Sequence, residues 1–160
     1  MFLRIENLPE KKLAGKYLTM SFLNNRTAEL WQSFMPDRKN ITGAVDRSLY
    51  SLQIFSDVFK YAEVDPSKEF VKWAAVEISD QSEIPNNLKQ LTLEEGLYAV
   101  FLHKGTPADF RKTFDFIFLS WIPNSEFDVD HRPHFELLGE KYINNHPDSE
   151  EEIWIPIRKK

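Results

Sequence analysis

The apolar positions of this chain change period several times, and each change marks an element. Over "GKYLTMSF", residues 15–22, apolar and polar residues alternate. That is strand periodicity, and a strand is expected over about Lys16 to Phe22, after an extended entry. The period then lengthens. In "NNRTAELWQSFMP" Asn25 or Thr27 is placed to cap a helix, Leu30, Trp31, Phe34 and Met35 fall on one stripe, and Pro36 ends it. "SLYSLQIF" at 48–55 and "FVKWAAVEI" at 70–78 return to strands. The connection between them carries Phe59 and Tyr61, two rings that need something to pack on. From Ser79 to Leu93 the chain turns polar and reads as a loop around "EIPNNLKQ", the best internal boundary.

The second half repeats the order. "GLYAVFLHKG" at 96–105 is a strand that ends in a turn. In "TPADFRKTFDFIFLSWIP" Thr106 can cap, Pro107 takes the first helical position and Asp109 sits in the favourable first turn. Phe110, Phe114, Ile117 and Trp121 recur at helical spacing before Pro123. "RPHFELL" and "EEIWIPI" give two further strands. Gly15 opens one half as Gly96 opens the other, and Trp31 before "SFMP" matches Trp121 within "SWIP". The expectation is an α+β fold: duplicated β-α-β-β units, about 13–78 and 95–157, forming one antiparallel sheet with two main helices on one side and a central groove. A length of 160 residues suits one domain over 1–160.

Composition narrows the chemistry. With 13 Phe, 5 Tyr and 4 Trp, the rings can fill a core or line a cavity that accepts an apolar or cationic compound. The formal charge is −5, and apart from Arg158, Lys159 and Lys160 no dense basic patch exists, which argues against nucleic-acid binding. The absence of cysteine removes disulfides and thiolate catalysis. No segment supplies a secretory apolar core or the roughly 20 apolar residues of a membrane span, so a cytoplasmic location is expected. With 5 glycines and no G-x-S-x-G, neither a phosphate loop nor a serine hydrolase is indicated. His131 and His134 lack the helical spacing of a zinc motif, and no metal or cofactor is expected.

Candidate site residues follow from alternation along the strands. Glu136 in "HFE" shares a side with His134 and Leu138 and faces either solvent or the groove. Glu152 and Trp154 share a face, which places them at the groove or its rim. Glu151 shares the other with Ile153, Ile155 and Ile157, and reads as a solvated residue at the strand start. Tyr50, Trp73 and Tyr98 are the preferred ring candidates. Tyr142, in the connection after Glu136, can fold over the groove and donate to a developing oxyanion.

"GLYAVFLHKG", "WIPNSEFDVDHRPHFE" and "EEIWIPI", together with "LWQSFMP" and "EFVKWAAVEI", make the chain resemble the GyrI-like effector-binding domain from Leu13 to Ile157. This domain occurs alone and behind the helix-turn-helix modules of AraC- and MerR-type regulators. The resemblance implies a groove for hydrophobic, often cationic compounds. It also implies that Glu136, with Glu152 as the acid opening the last strand, meets the ligand's charge. Three functions stay open on it. The first is binding of such a compound. The second is hydrolysis of strained, cyclopropane-bearing genotoxic compounds with Glu136 as general base. The third is a protein-interaction role, with a gyrase or a regulator as partner. The roughly one hundred residues of a helix-turn-helix module do not precede the domain here, so direct promoter recognition is not expected. The oligomeric state is open.

Overall fold

A computed structural model describes all 160 residues. The alternating segments become nine strands: β1 (Phe2–Leu8), β2 (Lys11–Met20), β3 (Leu49–Ile54), β4 (Phe70–Ile78), β5 (Lys89–Leu93), β6 (Gly96–Lys104), β7 (Phe127–Val129), β8 (His134–Leu138) and β9 (Glu150–Lys159). Helix α1 (Thr27–Arg38) follows β2. Helix α2 (Phe110–Asp115) follows β6 and continues as a π-helical segment, Phe116–Trp121. No helix is long and apolar enough to cross a membrane.

The strands lie in the order β1-β6-β9-β8-β3-β4-β2-β5, all antiparallel, with β7 paired to β9. This order reads the same from either end once the units are matched. The central pair β3 and β8 is flanked by β4 and β9, then by β2 and β6, with β5 and β1 as edges. The duplication expected from sequence is therefore present. Its pseudo-twofold axis passes between Ser51 and Glu136, which face each other across the central pair. Stepping outward, Ser51 meets Ala74 and then Lys16, while Glu136 meets Ile153 and then Phe101. Lys72 and Glu151 consequently occupy equivalent positions.

The same walk equates Gly15 with Val100, which corrects the expected match of Gly15 to Gly96. The two glycines serve different needs. At Gly15 a methyl group would collide with the Ala74 carbonyl on the neighbouring strand, so the pair requires hydrogen there. At Gly96 the backbone adopts φ +153° beside the Arg132 guanidinium. Gly15→Ala is expected to lower unfolding stability by about 2 kcal/mol through overpacking. An unchanged urea midpoint would show that the strand moves aside freely.

Two further differences from the sequence reading have simple causes. β1 and β5 are edge strands, and β7 has three residues, so none of the three carries a long, continuous apolar face to announce it. Asn25 bonds the Thr27 amide at 3.0 Å, as a residue ahead of a helix can. Pro36 does not end α1, which runs to Arg38. A proline two residues from the end removes one backbone bond, and the turn already formed tolerates it.

Direct cross-strand neighbours share a face, so the register sorts the sheet's side chains. On one face α1 packs Leu30 and Phe34 onto Met20, Phe70, Ala74 and Val76, while the π-helical continuation of α2 packs Ile117 onto Ala99, Phe101, Ile153 and Ile155. Both helices thus lie on one side. The opposite face gathers Tyr50, Leu52, Trp73, Tyr98, Val100, Phe135 and Trp154 into the largest buried cluster. Leu8 and Leu93, the last residues of the edge strands, join it, so both edges contribute to this packing.

Candidate ligand-binding site

Each helix covers its own cluster, and the central strands β3 and β8 run between the two. On the helix-bearing side this strip presents Ser51 and Gln53 from β3, and His134 and Glu136 from β8. Lys72 of β4 and Glu151 of β9 flank it. The strip is thus a cleft floored by polar and charged side chains between two apolar packings.

Glu136 accepts one long bond, 3.4 Å, from Gln53 Nε2. Glu136 is half-buried, with part of its surface still open to solvent. Desolvation pushes its carboxyl up to about 7, against the weaker pull of Lys72 and the Gln53 bond. Glu151 is buried. Enclosure first, and the charge of Glu136 second, push its carboxyl up to about 8. Lys72 is held below its ordinary range by desolvation, with the two glutamates opposing. Its ammonium donates to Thr27 Oγ1 at 3.3 Å, at the first turn of α1.

A wall of rings closes the cleft beside His134. The β3–β4 connection brings Phe55 and Phe59 into a stack with centroids 4.5 Å apart, and both meet the His134 ring edge-on, at 5.2 and 5.4 Å. Phe59 packs against Phe118 of the π-helical segment, Tyr61 stacks on Phe118 at 5.1 Å, and the Tyr61 hydroxyl donates to Asp115 at 2.7 Å. So Phe59 and Tyr61 do find a surface to pack on. His134 is buried among these rings, and desolvation lowers its pKa to about 3, which keeps the ring neutral. Glu136 lies two residues along the same face, about 7 Å of strand away. An open recess of about 740 Å³ shares Phe55 and Phe59 with this wall but lies over the β3–β4 connection and does not include Glu136. The strip holds three titratable groups with raised or lowered pKa, Glu136, Glu151 and Lys72, whereas the outer recess carries exposed charges.

The other residues singled out from sequence sit elsewhere. Tyr50, Trp73, Tyr98 and Trp154 belong to the buried cluster on the opposite face. Tyr98 donates to the Pro133 carbonyl at 2.8 Å under the Arg132 guanidinium, and Tyr50 packs on Phe135. Glu152 is on that face as well. It takes two bonds from Arg4, at 2.9 and 3.3 Å, and one from Trp154 Nε1 at 3.2 Å, so its charge is already matched. Tyr142 is half-buried, donates to Asn144, and is raised by desolvation and then by the charge of Glu151. The structure thus brings Glu136 and Glu151 together and separates Glu152 from them. Glu151 is not the solvated residue expected, because its side chain continues the inward series of Ile153, Ile155 and Ile157. That signal was in the sequence, as was the lysine interrupting Phe70, Ala74, Val76 and Ile78. A charge inside an inward-facing series marks a floor residue.

A duplicated β-α-β-β sheet with both helices on one face is the architecture of a small effector-binding domain. The chain belongs to the GyrI-like small molecule binding domain family, which it matches over residues 1–158. It is 23% identical over 158 residues to the transcriptional regulator BrlR of Pseudomonas aeruginosa, a match that covers 98% of this chain and 56% of that protein. The chain therefore spans little more than half of the regulator. Its fold is similar to that of SAV2435 bound to tetraphenylphosphonium, with a TM-score of 0.69 and 18% identity over 99% of this chain and 94% of that one. It is also similar to a hydrolase encoded by lin2189 from Listeria innocua, with a TM-score of 0.62 and 12% identity, covering 97% and 91% of the two chains.

Proposed function

We propose that the protein binds an aromatic, cationic small molecule in the cleft between α1 and α2, with Glu136 as its counter-charge. The observation that carries this reading is an enclosed carboxylate that has no ion-pair partner and lies next to a wall of rings. With Glu151 also ionised, the floor holds two negative charges against one ammonium, so a single cationic centre brings it to neutrality. Ring faces attract such a centre, and the enclosed carboxylate turns away anions. The tetraphenylphosphonium carried by SAV2435 is a ligand of this class.

The test is a titration with tetraphenylphosphonium, followed by tryptophan fluorescence. Saturable binding is expected, weakened about thirtyfold or more in Glu136→Gln, since an enclosed charge that loses its partner costs 2 kcal/mol or more. Equal affinity in the two proteins would overturn the assignment. Binding should also weaken as pH falls through about 7, where Glu136 takes up a proton, and level off near the affinity of Glu136→Gln. An affinity flat from pH 8 to 5 would place the cation elsewhere.

The value near 7 also favours a second reading, because a carboxylate so poised suits a general base near neutral pH. Glu136 would then take a proton from water as its oxygen bonds to a strained ring carbon; the broken C–C bond's electron pair would pass to a carbonyl conjugated with the ring, and the proton would follow to that oxygen, a net addition of one water. Following the mass of a cyclopropane-bearing alkylator separates the readings. Gain of one water that stops in Glu136→Gln supports hydrolysis, whereas recovery of the compound intact rules it out.

A further inference from the structure

For a site that takes a cation, the cleft has one discordant feature. Lys72 carries a positive charge into the same enclosed space as Glu136 and Glu151, yet forms no ion pair with either. Its one hydrogen bond goes to the neutral hydroxyl of Thr27, which leaves two of three N–H donors unspent. An ammonium held away from water without a matching charge is costly. The site adds a second positive feature. Lys72 meets α1 at its N-terminal turn, the positive pole of the helix, where Asn25 Oδ1 takes up the Thr27 amide and Arg26 supplies no side-chain cap. The Arg26 guanidinium is itself committed, donating to Glu29 at 2.8 and 2.9 Å and to the Thr19 carbonyl at 3.4 Å. Across the pseudo-twofold axis, Glu151 occupies the position equivalent to Lys72, and Glu136 lies on the axis facing Ser51. The floor is therefore polarised, positive towards α1 and negative towards β9.

A ligand that is only a cation answers Glu136 and Glu151 and is repelled by Lys72. One that is only an anion meets two carboxylates. We propose that the ligand is an amphoteric aromatic compound, which sets an acidic group against Lys72 and the start of α1 and a cationic centre against Glu136 and Glu151, with its rings along Phe55, Phe59 and Phe118. This proposal rests on the reading of the cleft as a ligand site and adds the ligand's second charge.

The test compares two dyes that share one cationic ring system, rhodamine B with a free carboxylate and its ethyl ester without one. Dissociation constants come from fluorescence anisotropy at pH 8. Wild type is expected to bind the free acid about tenfold or more tightly than the ester, the range of a charge-assisted hydrogen bond. In Lys72→Met the acid should lose that advantage while the ester binds no more weakly, since a repulsive charge has gone. Lys72→Arg should keep the preference, and Glu136→Gln should weaken both dyes. Circular dichroism confirms that each variant is folded.

If wild type binds the ester as tightly as the acid, or the preference survives in Lys72→Met, the proposal is overturned. Ester binding that depends on Glu136, without preference for the acid, overturns it while leaving the cation site standing. Binding of tetraphenylphosphonium but of neither dye has the same consequence. If neither dye nor tetraphenylphosphonium binds, the cation site falls as well.

Discussion

Phe135→Ala is expected to cost about 4 kcal/mol of unfolding free energy, within the range for truncating a buried aromatic residue. Phe135 is 1% exposed and stacks on Trp154 at 5.1 Å, with Tyr98 and Tyr50 at 5.3 and 5.5 Å. It comes from a central strand, so the hole left by its ring would open in the middle of the face away from the helices. Both edge strands contribute a leucine to that cluster, and closure of the sheet depends on it. The measurement is a urea midpoint for this variant beside Phe118→Ala. Phe118 is half-buried in the cleft wall, and its loss should cost under about 2 kcal/mol while weakening ligand binding. Should Phe135→Ala cost less than about 1 kcal/mol, the ringed face is not the packed core described here.

Glu136→Gln is expected to be more stable than wild type at pH 8.5, by up to about 3 kcal/mol, and no more stable at pH 4. The Glu136 carboxyl keeps its proton to about pH 7 when folded and gives it up near its ordinary 4.5 when unfolded. Between those values the unfolded chain is the one that has released the proton. Stability therefore falls as pH rises through the window, and the whole loss is present above 7. Glu151, raised to about 8, acts in the same direction, though the two carboxyls influence each other and their losses do not simply add. His134 acts oppositely. Held neutral to about pH 3 against its ordinary 6.5, it contributes stability that is lost as pH falls through that range. The wild-type optimum should fall on the acid side of neutrality. Urea midpoints for both proteins at pH 4 and 8.5 check this, and parallel behaviour would show that Glu136 is freely solvated. A residue whose removal strengthens the fold and weakens binding is placed for a ligand.

Much of the architecture was legible because it rests on periodicity. The central strands alternate, and the second helix starts at Thr106, Pro107 and Asp109 as expected, with Asp109 accepting from both the Thr106 amide and hydroxyl. β1 and β5 were harder, since one side of each pairs with nothing and their polar residues read as loop. At the site, alternation paired Glu152 with Trp154 and Glu151 with the isoleucines correctly. What it cannot say is which of two largely apolar faces lies under the helices. Here the ringed face is filled by the coiling sheet, and the face with smaller side chains is left to the helices and the charges. Tyr50, Trp73 and Tyr98 were attractive as ring candidates for their size. The rings around the cleft come instead from the β3–β4 connection and from the π-helical segment, neither of which has a strand register to read.

The axis between Ser51 and Glu136 also bears on how such a site could arise. In two identical copies of one unit, joined symmetrically, whatever stands at this position stands there twice and faces itself a few ångströms away. A glutamate would meet a glutamate, and one of the two would have to stay protonated. A solitary carboxylate at the centre, with a lysine on one flank and an acid on the other, is open only to a chain whose halves mutate independently. With both units in one chain, the middle of the sheet is directional, with lysine towards one helix and glutamate towards the other side.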